Sequence, residues 1–230
     1  SSRFRMNFRS NIFSLAIASC FVGVAVSYGN IYLCHFLMAF SFILWFGRRL
    51  STKTGLNAKA SHAYIGVGLV VLWSVLSILW APSYFHALKQ SVFVVFGGMI
   101  ALSIVEFASN SERLKHLIKF SGIAVGLEII VGLVESAGLF RYPISPYSKY
   151  APLFGRRYTL ESMDESLHAH FETVPTAFHF NPNNLALALV VAIPFFLFAK
   201  NKIIKIAGTL GSIAIIYQTN SRLILLVTFL

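Results

Sequence analysis

Long apolar runs alternate with short polar breaks along this chain. The runs extend from Ile12 to Tyr28, Ile31 to Phe46, Ala63 to Ala81, Ser91 to Ala108, Ser121 to Phe140, Asn183 to Ala199 and Ile203 to Gln218, and another opens at Leu223. Each complete run is close to the roughly 20 residues a helix needs to cross a hydrocarbon core of about 30 Å. The pattern predicts an all-α fold, a polytopic transmembrane helix bundle of about seven complete spans plus the start of an eighth. The last run stops at Leu230 and the chain opens on Ser1 instead of methionine. Residues 1–230 are therefore expected to form one transmembrane domain, the N-terminal part of a longer protein.

Composition agrees. Hydrophobic residues make up 57%, charged residues 12%, and the mean hydropathy is +0.72, against roughly 45–50% apolar and about 25% charged in soluble domains. A water-soluble fold is excluded on this balance.

The formal charge of +11 would suit nucleic acid if the basic residues shared a surface, but they fall in separate breaks. Arg3, Arg5 and Arg9 precede the first run; Arg48, Arg49, Lys53 and Lys59 follow the second. Arg113, Lys115 and Lys119 follow the fourth, and Lys200, Lys202 and Lys205 the sixth. Alternating spans put all of these on one side, which the positive-inside rule makes the cytoplasm. Topology thus accounts for the charge, no nucleic-acid partner is expected, and the N-terminus is cytoplasmic. The longest break, residues 141–182, then lies outside, with Glu161, Asp164, Glu165 and Glu172 among its residues. Its stretch "RYPISPYSKYAPLFGRRY" is rich in aromatics and prolines, which suits a folded lid or a carbohydrate-facing surface more than a solvated tether.

"IASC" at Ile17–Cys20 resembles a lipoprotein cleavage box, but the residues after Cys20 stay apolar, so the first run is expected to remain an anchor. In a tight hairpin Cys20, mid-span, and Cys34, about one turn inside the next span, differ in depth by about 5 residues or roughly 8 Å, too far for a disulfide. Two free thiols are predicted.

The stretch "PTAFHFNPNNLALALVVAIPFF" (Pro175–Phe196) sets polar residues directly before a span. Asn181 suits an N-cap and Pro182 the first helical position, with Asn183 and Asn184 next. Such a helix start presents free N–H groups and a positive dipole end, an arrangement that binds phosphate. Two readings stand: the asparagines only cap a membrane helix, or they serve an anion site. Pro194 removes a hydrogen bond to the Val190 carbonyl, a defect tolerated next to a cavity. His179, close to the helix start, suits either packing or a contact to phosphate or a sugar hydroxyl.

Further polar groups lie at membrane depth. Arg222, in "YQTNSRLILL", is either a functional cation or a residue snorkelling to headgroups. Glu128 and Glu135 are seven residues apart on one helical face and are expected to point into the bundle, as a buried polar pair with a structural partner such as Arg222 or as a proton relay. In "HAHFE", His168, His170 and Glu172 alternate as zinc ligands on an extended segment would. The segment lacks another clear ligand, so no metal is expected.

Three stretches resemble one family. "PTAFHFNPNNLA" resembles the "P-T-G-F-F-x-N-P-N-x-L/F-A" stretch of the O-antigen ligase and polysaccharide polymerase superfamily. "QTNSRLILL" is similar to that family's "T-G-S-R-G-A-L-L", and "LSILWAPSYFHALKQS" (Leu76–Ser91) to its "W-A/S-P-D-P-x-x-A-L". All three occur in the family's order and spacing, over essentially the whole chain.

The resemblance implies a GT-C-like, metal-independent membrane glycosyltransferase of the bacterial plasma membrane that requires no cofactor. The donor would be an undecaprenyl-diphosphate-linked glycan, and the acceptor a lipid A core (ligase) or a second carrier-linked glycan (polymerase), among membrane lipids. Arg222 matches the position of a diphosphate-gripping arginine. Thr173 and Val174 stand where the family often has an arginine, and Ala177 replaces its glycine; Arg156 and Arg157 are expected to supply the missing charge. The family's catalytic histidine would lie beyond Leu230, so the catalytic residue is unknown and these 230 residues alone are expected to be inactive. The competing expectation is a lipid-linked glycan flippase or other secondary transporter, with Glu128 and Glu135 coupling substrate or protons.

Overall fold

The computed structural model describes residues 2–23, 25–29, 31–52, 61–108, 110–165, 168 and 171–221. Helix α1 (Ser2–Phe21) leads into a hairpin of β1 (Ser27–Tyr28) and β2 (Ile31–Tyr32), which pair antiparallel with Tyr28 opposite Ile31. Six α-helices follow within the described residues: α2 (Leu33–Thr52), α3 (Ser61–Leu76), α4 (Tyr84–Ala108), α5 (Ser111–Ser136) and, after a long loop, α6 (Pro182–Leu197) and α7 (Lys202–Gln218). Among the described residues, three helical stretches are long and apolar enough to cross a membrane: Ser61–Trp80, Tyr84–Val105 and Ser111–Ser136. Shorter apolar helices run over Ile12–Phe21, Leu33–Gly47 and Pro182–Leu197. The expected eighth run and Arg222 lie outside the described residues.

Several boundaries differ from the hydropathy pattern, and capping explains where they fall. The Asn110 side chain accepts hydrogen bonds from the Glu112 and Arg113 amides at 3.1 Å each, so α5 begins ten residues ahead of its apolar run with Glu112 in its first turn. The first run ends early. Gly23 takes a φ of +56° and Gly29 one of +54°, and the two-residue connection between Tyr28 and Ile31 closes a hairpin where apolarity predicts continued helix. This corrects the reading of the cysteines. Cys20 at the end of α1 and Cys34 at the start of α2 are both free thiols, as expected, yet their side chains share a hydrogen bond instead of lying at different depths.

The chain divides into two compact units, Ser1–Ile17 with His35–Leu117, and Ala18–Cys34 with Ile118–Leu230. In the first, α3 and α4 pack closely. Ser91 Oγ donates to the Ser74 carbonyl at 2.8 Å, and a Cβ at Gly98 would lie 2.9 Å from the Val71 side chain. Small residues and hydroxyls of this kind bring helices together where lipid removes the hydrophobic drive. Helix α3 has no buried residue and presents Leu69, Val70 and Trp73 outward, as a lipid-facing helix does.

The second unit holds the larger core. Val125 and Ile129 of α5 pack with Leu185, Leu189 and Phe196 of α6 and with Ile215 and Ile216 of α7. Phe21 meets Phe195 edge-on, ring centroids 6.2 Å apart. The segment after α5 is folded, as its aromatic and proline content predicts: it forms short 3-10 turns at Ala151–Phe154 and Leu160–Ser162 and buries Ile144, Ser145, Ser148, Ala151, Leu160 and Val174.

Candidate functional site

Two carboxylates of α5 organise the site, both at 0% exposure. A spacing of seven residues, two helical turns, puts Glu128 and Glu135 on one face, and the stretch Pro175–Asn183 is hung from them. They do not pair with each other; each has partners of its own.

Glu135 is saturated. Its Oε2 accepts hydrogen bonds from the Thr176 and Ala177 amides, both at 2.7 Å, and its Oε1 accepts from the Tyr142 amide at 2.9 Å. The Arg141 guanidinium lies 3.6 Å from Oε2. Arg141 also donates to the Val174 carbonyl at 2.8 Å and to the carbonyls of Phe171 and Glu172, and sits over the Tyr147 ring. Burial draws the Arg141 pKa below that of a free guanidinium while Glu135 pulls the other way; a guanidinium stays charged regardless. Burial pushes the Tyr142 and Tyr147 hydroxyls up, keeping Tyr142 a donor to the Ala25 carbonyl at 2.6 Å.

Ala177 adopts a φ of +43°, the left-handed conformation that favours glycine. This is the position where the resembled motif carries glycine. The turn directs two successive amides at one carboxylate oxygen, and the His179 amide closes it onto the Thr176 carbonyl at 2.8 Å. Thr176 Oγ1 donates to Ser145 Oγ at 2.8 Å, and Phe178 meets Tyr142 edge-on at 5.1 Å.

Glu128 takes His179. His179 Nε2 and Glu128 Oε1 are 2.7 Å apart, and with an ionised carboxylate Nε2 carries the proton. Glu128 Oε2 is buried without a hydrogen-bond partner among the described residues. The imidazole packs over the backbone of Gly23, where a Cβ would lie 2.9 Å from Nδ1 and 2.7 Å from the Phe178 carbonyl oxygen.

The helix start follows directly. Asn181 is the N-cap of α6, its side chain accepting from the Asn183 amide at 2.8 Å, and Pro182 is the first helical residue, as the sequence predicts. Asn181 and Asn183 are both exposed. Just before the cap, Phe180 lies under the Arg156 guanidinium, 4.8 Å from it, with the Tyr32 ring 5.3 Å away. Arg156 Nε and Nη2 are buried and have no hydrogen-bond partner among the described residues. Cation–π contacts hold such a group without satisfying its N–H donors.

The structure therefore brings Arg156, His179, Asn181 and Asn183 to the start of α6, with Glu128 behind His179. Arg157, the next residue, is exposed. Arg222 lies outside the described residues. His168 has Nε2 2.8 Å from the Leu160 carbonyl, a backbone tie that occupies the nitrogen; His170 is not among the described residues, and no group of three metal-ligating side chains occurs among those that are. Sequence reasoning missed Arg141, Thr176 and the hairpin that supplies Tyr32. Gly29–Asn30 between Tyr28 and Ile31 was the available signal for the hairpin. No family model, curated protein or solved structure matches the chain.

Proposed function

We propose that this chain is the donor-binding part of a membrane glycosyltransferase of the O-antigen ligase and polymerase type, a seven-span GT-C-like bundle acting at the outer face of a bacterial plasma membrane. One observation carries the reading: a guanidinium with two buried nitrogens that have no partner among the described residues sits beside the capped start of a 16-residue helix. A diphosphate supplies what the guanidinium lacks, since its oxygens accept paired N–H groups, and its charge suits the positive dipole end of the helix beside it.

In this reading Arg156, beside the positive dipole end of α6, holds the carrier diphosphate, with Arg222 from the "TNSR" stretch as a second cation. Negative charge grows on the diphosphate as the glycosidic bond breaks, and prearranged donors stabilise that charge without reorganising. Glu128 fixes His179, and His179 fixes the approach of Phe180 and Asn181, so the carboxylate is a positioning group. The acceptor hydroxyl needs a base, which this site does not assign.

The test is Arg156→Ala and Arg156→Lys in the native membrane, read by electrophoresis of surface and carrier-linked glycans. Loss of one such donor costs on the order of 10²–10³ in rate, so Arg156→Ala should leave glycan on the carrier at normal protein abundance. Arg156→Lys should fail too, having lost the planar fork. Single repeats on an intact core would specify a polymerase, long chains on the carrier a ligase. Joining near the wild-type level in Arg156→Ala would end this reading.

The orphan Glu128 Oε2 favours one rival, a lipid-linked glycan flippase or other transporter in which Glu128 takes up a proton. That reading requires transport in vesicles without new glycosidic bonds, abolished by Glu128→Gln.

A further inference from the structure

At the opposite end of α6 from the site above, a cavity of about 920 Å³ opens along the N-terminal half of α5, the C-terminal end of α6 and the start of α7. Its α5 wall consists of Lys119, Gly122, Ile123, Gly126, Ile129 and Ile130, a single helical face. Gly122 and Gly126 leave the floor open: a Cβ at either would meet nothing within 4 Å. Pro194, which lacks an amide donor to α6, lines the opposite wall with Phe195 and Phe198. Among the described residues Lys119 and Lys200 are the charged members of the lining, and both lie at the same end of the cavity.

The dimensions match one leaflet. Lys119 to Ile130 spans roughly 16 Å at 1.5 Å per residue, about half of a hydrocarbon core of about 30 Å. An acyl chain gains no hydrophobic free energy by leaving lipid for an equally apolar groove. Occupancy must therefore be decided by shape and by the headgroup, and here the headgroup end carries two cations and, among the described residues, no carboxylate. Basic pockets between membrane helices select anionic headgroups in this way.

We propose that this groove is a binding site for an anionic phospholipid of the surrounding leaflet, its acyl chain along the Gly122–Gly126 floor and its phosphate at Lys119 and Lys200. The site is separate from the Arg156 cluster and does not depend on the activity assigned there.

Native mass spectrometry of the protein in mild detergent, with phosphatidylglycerol or phosphatidylcholine added, tests it. The wild type should retain phosphatidylglycerol on the order of tenfold better than phosphatidylcholine. Gly126→Leu fills open space and improves helix propensity, so it should fold, as a thermal melt will report, and lose both lipids. Lys119→Gln with Lys200→Gln should keep the groove but erase the preference. Equal retention of the two lipids by the wild type overturns the proposal, as does unchanged retention in Gly126→Leu. Failure of the wild type to retain either, as when another stretch of its own chain fills the groove, overturns it equally.

Discussion

Glu135 is the residue on which the loop after α5 depends. It accepts three backbone amides and faces Arg141, so Glu135→Ala orphans those amides and leaves a largely buried guanidinium without its counter-charge. Removing one partner of a buried ion pair costs roughly 3–5 kcal/mol. A large fall in melting temperature in detergent is expected, with new proteolytic cleavage between Phe171 and Phe180; a melt within a degree of wild type would show that the carboxylate is not the anchor. Glu135→Gln keeps the shape but turns a donor toward donors, and should fall between.

Ala177 gives a second test at this scale. A left-handed non-glycine residue costs about 1–2 kcal/mol, while glycine there would lose a buried methyl worth about 0.8 kcal/mol and gain unfolded-state entropy. Ala177→Gly should thus melt close to wild type. Ala177→Val, with a branched side chain at positive φ and no room at a fully buried position, should melt far lower.

Helix α6 is held at its start by residues local to it and at its approach by residues far away. The cap is local, and Asn181→Ala should cost about 0.5–2 kcal/mol, read as a lower melting temperature. The approach depends on the hairpin segment before α2. Gly23 touches both Phe178 and His179, so Gly23→Ala combines a strained φ with a clash against a carbonyl oxygen. It should displace His179 from Glu128 and expose the Phe171–Phe180 segment to protease without altering α6 itself; full protection would mean that the contact yields at little cost.

For the whole molecule, the orientation expected from the charge pattern is testable. It places Lys200, Lys202 and Lys205 on the cytoplasmic side by the positive-inside rule and, with a crossing at α6, the Arg141–Asn181 segment on the other. In a Cys20→Ser, Cys34→Ser background, Leu153→Cys should react with a membrane-impermeant maleimide on intact cells. Lys202→Cys should react only after permeabilisation. Leu153 is 74% exposed, so absence of labelling there would reverse the orientation.

Much of this molecule was legible in one dimension. Apolar runs fixed it as a helical membrane protein, because helix length against bilayer thickness is a one-dimensional match. "NPN" marked the start of α6, because a cap is satisfied within three residues, and helical periodicity put Glu128 and Glu135 on one buried face. What those carboxylates hold was not legible. Glu135 meets Thr176 across 41 residues and Glu128 meets His179 across 51, and Tyr32 reaches Arg156 from a hairpin that apolarity had absorbed into two spans. The partner of a buried charge is set by where the chain returns, and a groove by how α6 and α7 pack beside the glycines of α5. Those decisions belong to the tertiary structure, since burial leaves each polar group to be satisfied by whatever packing brings beside it.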